Sequence, residues 1–334
     1  MVGSSPTKAQ AFQPRRGLQG GHRQTIANFF LTRRIALPAA DARLIEVEPG
    51  VRVRCHCHWQ PDRQNALTVI IVHGLEGSSD SPYMLGIARK GLAVGMNVVR
   101  MNQRNCGGTD GESPTLYHSG RSPDVAAVAQ HFLEYDRITR FALAGFSMGG
   151  NLVLKLAGEW GREGPPQFRA VAAVCPSMDL AASADALHLS SNRLYEYYFM
   201  WKLRQRLHAK ARLFPGAFDT SRLRGVRTLR DFDDKITAYY SGFGGASDYY
   251  ARAAAANVVD RIAVPAFILQ AANDPFIRIV PETRRKLLAN PNITFTETGD
   301  GGHCSFLAQP GLAQPNGDDG RWAENQVVEF LRKF

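Results

Sequence analysis

Ser147 is the centre of a Gly-x-Ser-x-Gly pattern that runs from Gly145 to Gly149. Residues 141–144 before it are short and apolar like a buried strand, and residues 151–157 after it repeat apolar side chains at helical spacing. Such a sharp strand-to-helix turn forces the serine toward positive φ, at a cost of about 1 to 3 kcal/mol, and requires small neighbours. The pattern therefore predicts an exposed, strained hydroxyl that can attack an acyl carbon.

A serine hydroxyl needs a general base within hydrogen-bond distance and a carboxylate that orients the base. Asp274 follows the apolar run 266–270, so we expect it at the same edge of a parallel sheet as Ser147. His303 follows in a glycine-rich loop after a further strand-like run. We predict Ser147 as the nucleophile, His303 as the general base and Asp274 as the acid. Two alternatives are open: Asp274 could be an ordinary turn residue before a proline, and Asp300 could be the acid, although it is badly placed to orient the ring.

Two backbone amides are candidates for an oxyanion hole, which binds the negative oxygen of a tetrahedral intermediate. One is the amide of Met148, because such sites use the residue after the nucleophile. The other is the amide of Leu75, which follows the buried strand-like run 69–72 and a His-Gly turn. An ordinary strand followed by a glycine turn is the alternative interpretation. We interpret His73 as a structural part of this turn and not as a second base.

Strand-like and helical runs alternate along most of the chain, which predicts an α/β fold with a mainly parallel, doubly wound sheet and helices on both faces. The first strand-like run alternates strictly between apolar and polar residues, as an antiparallel edge strand would. The strand-like runs are 51–58, 67–73, 97–101, 141–145, 170–175, 266–271 and 292–296. The helical runs are 82–94, 123–135, 148–160, 281–288 and 322–331.

The alternation stops between residues 176 and 265, in a long interval that is rich in aromatic and basic residues. We predict a helical cap inserted into the sheet domain, since long connections in compact domains are often lids over active sites. The resulting division is 1–176 for the first part of the core with an N-terminal extension, 177–264 for the cap, and 265–334 for the rest of the core. The cap aromatics serve either helix packing or the walls of an acyl-binding pocket.

Composition restricts the class of protein. The chain has 334 residues, of which 44% are hydrophobic, enough for a sizeable core. We find no apolar stretch near the roughly 18 residues of a membrane span and no signal peptide at the start. The five cysteines are odd in number and scattered, which indicates a reducing compartment. We therefore expect a soluble, cytoplasmic protein.

The net charge of +10 raises the question of an anionic partner. The arginines are spread along the chain and no nucleic-acid-binding motif accompanies them, so we expect no nucleic-acid partner. A solvated basic surface is the interpretation we prefer, and a weak peripheral contact with an anionic membrane is the alternative. The sequence does not determine the oligomeric state.

Two runs of metal-ligand residue types have ordinary interpretations. In the Cys-His-Cys-His run 55–58, a strand would place the two cysteines on one face and the two histidines on the other, which prevents joint coordination. The acidic run 231–234 lacks the spacing of a calcium loop and is typical of a helix start or a cap-to-core anchor. We interpret Cys106 and Cys304 as bystanders near the predicted site. We expect no metal site and no cofactor.

Together with further runs along the chain, these residues resemble the YheT-type branch of the α/β hydrolases, a family of esterases with some lipid-hydrolysing relatives in eukaryotes. The match covers Gly-His-Arg-Gln-Thr at 21–25, His-Gly-Leu-Glu-Gly-Ser-Ser at 73–79, Ser-Pro-Tyr at 81–83, Asn-Gln-Arg-Asn-Cys-Gly-Gly at 102–108, Gly-Phe-Ser-Met-Gly-Gly-Asn at 145–151, Asp-Phe-Asp-Asp at 231–234, Asp-Tyr-Tyr at 248–250, Asn-Asp-Pro-Phe at 273–276 and Gly-Gly-His at 301–303.

This resemblance implies an α/β-hydrolase fold and a charge-relay triad on Ser147, Asp274 and His303. One departure is Asn105, where we expect the family to have glycine, in a loop near the pocket. We therefore predict a hydrolase of carboxylic esters that forms an acyl-enzyme. The alternatives are cleavage of thioester, amide or phospholipid acyl bonds by the same residues, and a non-catalytic ligand-binding or membrane-binding protein that retains the scaffold.

Overall fold

Strands of five to eight residues form the central sheet of this protein, and its inner strands are mostly buried. The computed structural model describes residues 12–31, 33–309 and 319–334. The sequence 310–320, rich in Pro, Gly and Asp, predicts a long loop, of which residues 310–318 lie outside the described residues. The strands are β1 (Asp41–Glu48), β2 (Val51–His58), β3 (Thr68–Val72), β4 (Asn97–Met101), β5 (Phe141–Phe146), β6 (Phe168–Val174), β7 (Ala266–Ala271) and β8 (Ile293–Thr298).

In the described residues these strands form one eight-stranded sheet in the order β1-β2-β4-β3-β5-β6-β7-β8. From β4 to β8 all neighbours are parallel, whereas β2 pairs antiparallel with both β1 and β4. The predicted mainly parallel, doubly wound sheet is therefore confirmed. The carboxyl ends of the six parallel strands, β3 to β8, meet at one edge, where sites of such folds form.

The antiparallel direction predicted for residues 51–58 is confirmed, but their position at the edge is wrong. The edge strand is β1, which the sequence pattern did not predict. Only Ile45 in β1 is buried, because the strand has a single neighbour and both of its faces are largely exposed. A strand with so few buried positions has little apolar periodicity to detect.

Helices cover both faces of the sheet. α2 and α11 pack on one face, and α3, α4 and α10 pack on the other. The helices are α1 (Gly21–Phe30), α2 (Pro82–Ala93), α3 (Ser122–Tyr135), α4 (Met148–Trp160), α5 (Leu180–Leu187), α6 (Arg193–Leu213), α7 (Leu229–Phe232), α8 (Tyr239–Ser241), α9 (Ala246–Ala253), α10 (Pro281–Ala289) and α11 (Trp322–Leu331). A π-helix (Asp233–Ala238) connects α7 and α8, and short 3₁₀ turns lie at Asp110–Glu112, Ser190–Asn192, Thr220–Leu223, Ala255–Asn257 and Val259–Arg261.

The segment between β6 and β7 contains helices and no strand, all within the described residues. Its ends and its middle differ in their packing. Tyr249, Ala253 and Val259 near its end belong to the same apolar cluster as α3 and α4, so this part packs with the core. The long helix α6 instead packs on a smaller apolar cluster of its own with Phe218 and Ile236. The division at residues 177 and 265 stays a prediction, and the helices that stand apart from the sheet are mainly α6 to α8.

Candidate active site

Ser147 occupies the sharp turn between β5 and α4. Its backbone has φ 54° and ψ −120°, the strained left-handed conformation that the pattern predicted. The turn is close because its glycines allow it: a Cβ on Gly145 would overlap the backbone of Gly149, and a Cβ on Gly149 would overlap the carbonyl oxygen of Val72. Close packing of strand and helix therefore presents the serine side chain at the carboxyl edge of the sheet.

The structure brings the three residues of the predicted triad into one hydrogen-bonded chain. The Ser147 hydroxyl lies 3.0 Å from Nε2 of His303, and Nδ1 of His303 lies 2.8 Å from Oδ2 of Asp274. The other carboxylate oxygen of Asp274 accepts hydrogen bonds from the amides of Phe276 and Ile277, at 3.1 and 2.9 Å. The carboxylate is fixed in position, and it favours the tautomer in which Nδ1 carries the proton and Nε2 can accept one.

Charge near His303 favours its protonated form. Burial alone would lower the pKa of His303, but the neighbouring Cys304 sulfur and the Asp274 carboxylate outweigh burial and raise the pKa well above its ordinary value. An imidazolium next to a buried carboxylate is the species that a general base becomes after it takes a proton. The site therefore stabilises the product of a proton transfer from Ser147.

Asp300, the competing candidate for the acid, has other partners. Its carboxylate accepts hydrogen bonds from the amides of Gly20 and Gly301, both at 2.7 Å, and from the side chain of Asn273 at 2.8 Å. These bonds connect the histidine loop to the segment before α1 and to the turn after β7. Asp300 therefore stabilises the loop that carries His303, and Asp274 contacts the ring.

The N-terminal helix α1 also holds the histidine loop, a role that the sequence analysis did not assign. The hydroxyl of Thr25 accepts a hydrogen bond from the backbone amide of His303 at 2.8 Å. The buried Gln24 side chain bonds both backbone groups of Leu307, at 3.1 and 2.8 Å. A Cβ on Gly302 would lie 2.5 Å from the carbonyl oxygen of Gly21, so the loop rests directly on the helix. The Gly-His-Arg-Gln-Thr run at 21–25 was the only sequence signal for this contact.

The two amides predicted for an oxyanion hole are both available. Within the described residues, neither the amide of Leu75 nor that of Met148 donates a hydrogen bond to the protein. Met148 is the first residue of α4, where amides carry the positive end of the helix dipole. The turn before Leu75 lies against the nucleophile, since a Cβ on Gly74 would be 3.1 Å from Cβ of Ser147. Two unpaired donors therefore flank the serine.

His73 has the structural position that we predicted. It is fully buried, its Nδ1 donates to the carbonyl of Gly74 at 2.8 Å, and its Nε2 accepts from the amide of Gln103 at 3.1 Å. Burial lowers the pKa of His73 to about 4, so the ring stays neutral near pH 7. Both nitrogens are occupied in the turn after β3, which leaves none for a substrate.

Two cations of α6 attach the cap to the loops of the core. Arg206 makes a bidentate ion pair with Glu76, with both N–O distances 2.8 Å. The ammonium group of Lys210 is fully buried and bonds the side chain of Asn105 at 2.9 Å. Asn105 has φ 64°, a conformation that asparagine tolerates better than most residues. Asn105, which stands where the family resemblance led us to expect glycine, therefore keeps the left-handed turn and gives Lys210 a hydrogen-bond acceptor.

A cavity of about 960 Å³, including its open mouth, is lined by Ser147 and by residues of the cap. Its walls are mostly apolar, and they include the buried Asp233, which accepts a hydrogen bond from the hydroxyl of Tyr250 at 2.8 Å. Burial raises the pKa of Asp233 to about 6. The apolar wall residues from the cap and the adjacent loops include Leu75, Phe199, Leu203, Leu207, Phe276 and Ile277. The cap aromatics had two possible roles, helix packing or the wall of an acyl-binding pocket. The position of Phe199 fits the wall of a pocket.

The two runs with metal-ligand residue types have other contacts. Cys55 and Cys57 point into the apolar core, while His56 lies on the opposite face of β2. In the acidic run, Asp231 completes a capping box with Thr228 at the start of α7. This contact agrees with the prediction of a helix start.

Comparison with known proteins agrees with the fold. Residues 68–310 match the family described as alpha/beta hydrolase fold. The protein "Putative esterase YheT" of Escherichia coli (strain K12) is 29% identical over 330 residues, which cover 97% of this chain and 93% of that protein. Phospholipase ABHD3 of Mus musculus is 28% identical over 250 residues, which cover 74% of this chain and 60% of that protein.

Solved structures show the same fold at low sequence identity. An esterase of Pyrococcus furiosus, Pf2001, has a TM-score of 0.58 and 17% identity, and the match covers 91% of this chain and 98% of that chain. Est1E of Butyrivibrio proteoclasticus has a TM-score of 0.55 and 15% identity, with 87% and 98% covered. With the family match over most of the chain and the similarity to YheT over nearly all of it, the chain belongs to the α/β hydrolase fold family.

Proposed function

We propose that this protein is a serine hydrolase that cleaves carboxylic esters through an acyl-enzyme. The observation that supports it best is the hydrogen-bonded chain Ser147–His303–Asp274, with 3.0 and 2.8 Å between the partners. The similarity to proteins named as esterases supports the same class of reaction.

The proposed reaction has two halves. Ser147 attacks the ester carbonyl carbon while Nε2 of His303 takes its proton, and the imidazolium then gives this proton to the departing alcohol. A water molecule attacks the acyl-enzyme by the same route in the second half. Asp274 keeps the ring in the required tautomer and stabilises its positive charge. The amides of Leu75 and Met148 bind the oxyanion, and loss of one such donor typically costs about 10² to 10³ in turnover.

The cavity supports a substrate with a hydrophobic acyl portion. Apolar side chains from α6 and from the turn after β7 line it next to Ser147, so an apolar acyl chain would contact apolar walls beside the reacting carbonyl. Thioesters and phospholipid acyl bonds contain the same type of carbonyl, so they are the alternative substrates. The five cysteines form no disulfide within the described residues, which supports action in the cytoplasm.

A second candidate function, hydrolysis of acyl lipids at an anionic membrane, is favoured by an exposed apolar surface on α1 and on α6, the helix that also lines the cavity. Phe29 and Phe30 of α1 expose 65% and 72% of their area, and Tyr197 of α6 exposes 70%. The two helices meet here, since the rings of Phe29 and Tyr198 lie 6.0 Å apart. We call this the α1–α6 surface, and its exposed apolar members are Ile26, Phe29, Phe30, Leu31, Leu194, Tyr197, Tyr198 and Trp201.

The charges around the α1–α6 surface suit an anionic bilayer. Arg23, Arg193 and Lys202 belong to the two helices, and their only acidic residue, Glu196, is buried. Aromatic side chains next to basic ones are typical of proteins that lie on a membrane surface. No helix in the described part of the chain is long and apolar enough to span a bilayer.

The catalytic proposal is tested by labelling with a fluorophosphonate followed by intact-mass analysis, beside turnover of p-nitrophenyl esters of short, medium and long chains. We expect one label on Ser147, ester turnover, and loss of both in Ser147→Ala. Ser247→Ala changes an exposed serine of α9 and is the matched control. A folded protein that takes no label, or that keeps turnover in Ser147→Ala, would contradict the proposal and favour a non-catalytic binding protein.

The membrane proposal is tested with Ser147→Ala protein, so that binding is measured without hydrolysis. We expect co-sedimentation with vesicles of phosphatidylcholine and phosphatidylglycerol, weaker at high salt, and little with phosphatidylcholine alone. Combined replacement of Phe29, Phe30 and Trp201 by serine should lower the partition coefficient about tenfold or more. Replacement of Tyr135 and Leu288, exposed apolar residues elsewhere, is the control. An equal decrease of the partition coefficient in both variants would contradict a specific membrane-binding role of the α1–α6 surface.

A further inference from the structure

Three soft ligand atoms lie together directly beside the nucleophile. They are the sulfur of Cys175, the sulfur of Cys304 and a ring nitrogen of His303, and all three lie within 4.8 Å of one another. Sulfur of Cys304 and Nε2 of His303 are 3.9 Å apart, and the amide of Cys304 donates to the sulfur of Cys175 at 3.4 Å. The proposed mechanism uses His303 but neither thiol.

Backbone geometry holds this group together. Cys175 follows the end of β6 with φ 43°, and Cys304 follows the histidine with φ 57°, so both side chains depart from left-handed residues. The thiol of Cys175 contacts the carbonyl of Gly302 at 3.7 Å, and that of Cys304 contacts the carbonyl of Val174 at 3.5 Å. The two thiols therefore join the end of β6 to the loop that carries the proposed base.

The spacing suits a tetrahedral metal ion. With Zn–S bonds of about 2.3 Å and Zn–N bonds of about 2.0 Å, ligand atoms of a tetrahedral site lie about 3.5 to 3.8 Å apart. The three atoms, none more than 4.8 Å from another, would need to move by about 1 Å or less. Two sulfurs and one imidazole favour soft or borderline divalent ions such as Zn²⁺ and Cd²⁺ over Mg²⁺ and Ca²⁺.

We propose that Cys175, Cys304 and Nε2 of His303 form a three-ligand site for a zinc-like divalent cation that inhibits the enzyme reversibly. Each thiol gives its proton to solvent when its sulfur binds the ion. The ion takes the Nε2 lone pair that now faces the Ser147 hydroxyl at 3.0 Å, and a water or the serine oxygen fills the fourth position. The occupied histidine cannot accept the serine's proton. The inhibition rests on the proposed function, whereas binding of the ion does not.

Binding is tested without activity, by titrating Cd²⁺ into reduced Ser147→Ala protein and recording the ultraviolet band of cadmium thiolates. We expect one cadmium per chain at this site. The band should fall strongly in Cys304→Ser and in Cys175→Ser, each made in the Ser147→Ala background. Cys106→Ser removes another buried thiol near the cavity, outside the cluster, and is the matched control. An unchanged band in Cys304→Ser would overturn the proposal, even if Cys175→Ser does not fold.

Inhibition is tested on the active enzyme with Zn²⁺. We expect loss of ester turnover, recovery after addition of a chelator, and no effect of Mg²⁺ or Ca²⁺. The zinc concentration for half-inhibition, measured against each variant's own activity, should rise at least about 100-fold in Cys304→Ser and little in Cys106→Ser. Equal zinc sensitivity of both variants would overturn the proposal. A protein without any turnover would contradict the proposed function, and the cadmium band would still decide the metal site.

Discussion

The turn that holds Ser147 and the loop that holds His303 fix their side chains in position in different ways. The serine turn is local: β5, the turn and α4 are consecutive, and its glycines remove the Cβ atoms that would collide. The histidine loop depends on distant parts of the chain, because its hydrogen-bond partners include Thr25 and Asn273. Ser147 is therefore positioned by its own sequence neighbourhood, whereas His303 is positioned by docking of the N-terminal helix.

This difference has a consequence for mutations. A change in the serine turn disturbs the packing of a central strand on its helix, so it should cost mainly folding stability. A change at the contact between α1 and the histidine loop leaves the sheet intact, so it should cost mainly activity. Variants in the two regions test this distinction.

The largest effect is expected for Asp274→Asn, which keeps the shape of the side chain but reverses the preferred tautomer of His303. We expect turnover of p-nitrophenyl esters to fall about 10⁴-fold with little loss of stability. Asp300→Asn is the matched control, because Asp300 bonds backbone and Asn273 rather than the ring. If Asp300→Asn lost as much turnover as Asp274→Asn, the assignment of the acid would be wrong.

Next in size is Gly149→Ala, which places a methyl group against the carbonyl oxygen of Val72. We expect the free energy of unfolding, measured in urea, to fall by about 3 kcal/mol or more, since overpacking at a backbone contact cannot relax easily. Gly111→Ala adds a methyl group where no atom lies within 4 Å, so it should change the free energy of unfolding by less than about 0.5 kcal/mol. Similar values for the two variants would contradict a tightly packed turn.

Gly302→Ala tests the histidine loop in the same way. The alanine would have to adopt φ 60° and would approach the carbonyl oxygen of Gly21 to 2.5 Å, so the loop should move away from α1. We expect kcat to fall about 100-fold, since small displacements of catalytic groups are costly, while most of the stability remains. Gly299→Ala has open space around its Cβ and should keep kcat. A large loss of stability with unchanged kcat would contradict the expectation that changes at the histidine loop cost mainly activity.

A smaller effect is expected for Thr25→Val, which removes the acceptor of the His303 amide without changing the size of the side chain. We expect kcat to fall about tenfold and KM to change little, because an unsatisfied buried amide costs about 1 to 3 kcal/mol and the loop shifts to avoid it. Thr25→Ser keeps the hydroxyl and should restore kcat. A purely structural role would lower the melting temperature of Thr25→Val with no change in kcat.

The smallest effect is a displacement of the pH profile. Because His303 must be neutral to accept a proton, kcat/KM should rise with pH through its pKa. Burial lowers this pKa, but Cys304 and Asp274 raise it more strongly, so the midpoint of the acid limb should lie above the ordinary value of 6.5. The profile is measured with a chelator present. A midpoint below 6.5 would indicate that desolvation dominates at His303.

Sequence periodicity predicted the regular elements well where burial is strong. The helices α4 and α11 and the strands β2, β4 and β7 begin and end at the predicted residues. It failed for β1, where only Ile45 is buried and the remaining alternation is faint. The departure at Asn105 was visible in the sequence, but its partner Lys210 lies 105 residues away and only the fold brings them together.

The turn of Ser147 and the chain order of serine, aspartate and histidine follow from local sequence, because they depend on local spacing and on strands that end at one edge of a parallel sheet. The contact of Asp274, and not Asp300, with the ring, and the support of the histidine loop by α1, come from the folded structure. It alone revealed the cluster of Cys175, His303 and Cys304. Contacts between residues more than a hundred positions apart leave no periodic signal in a single chain, since only folding brings them together.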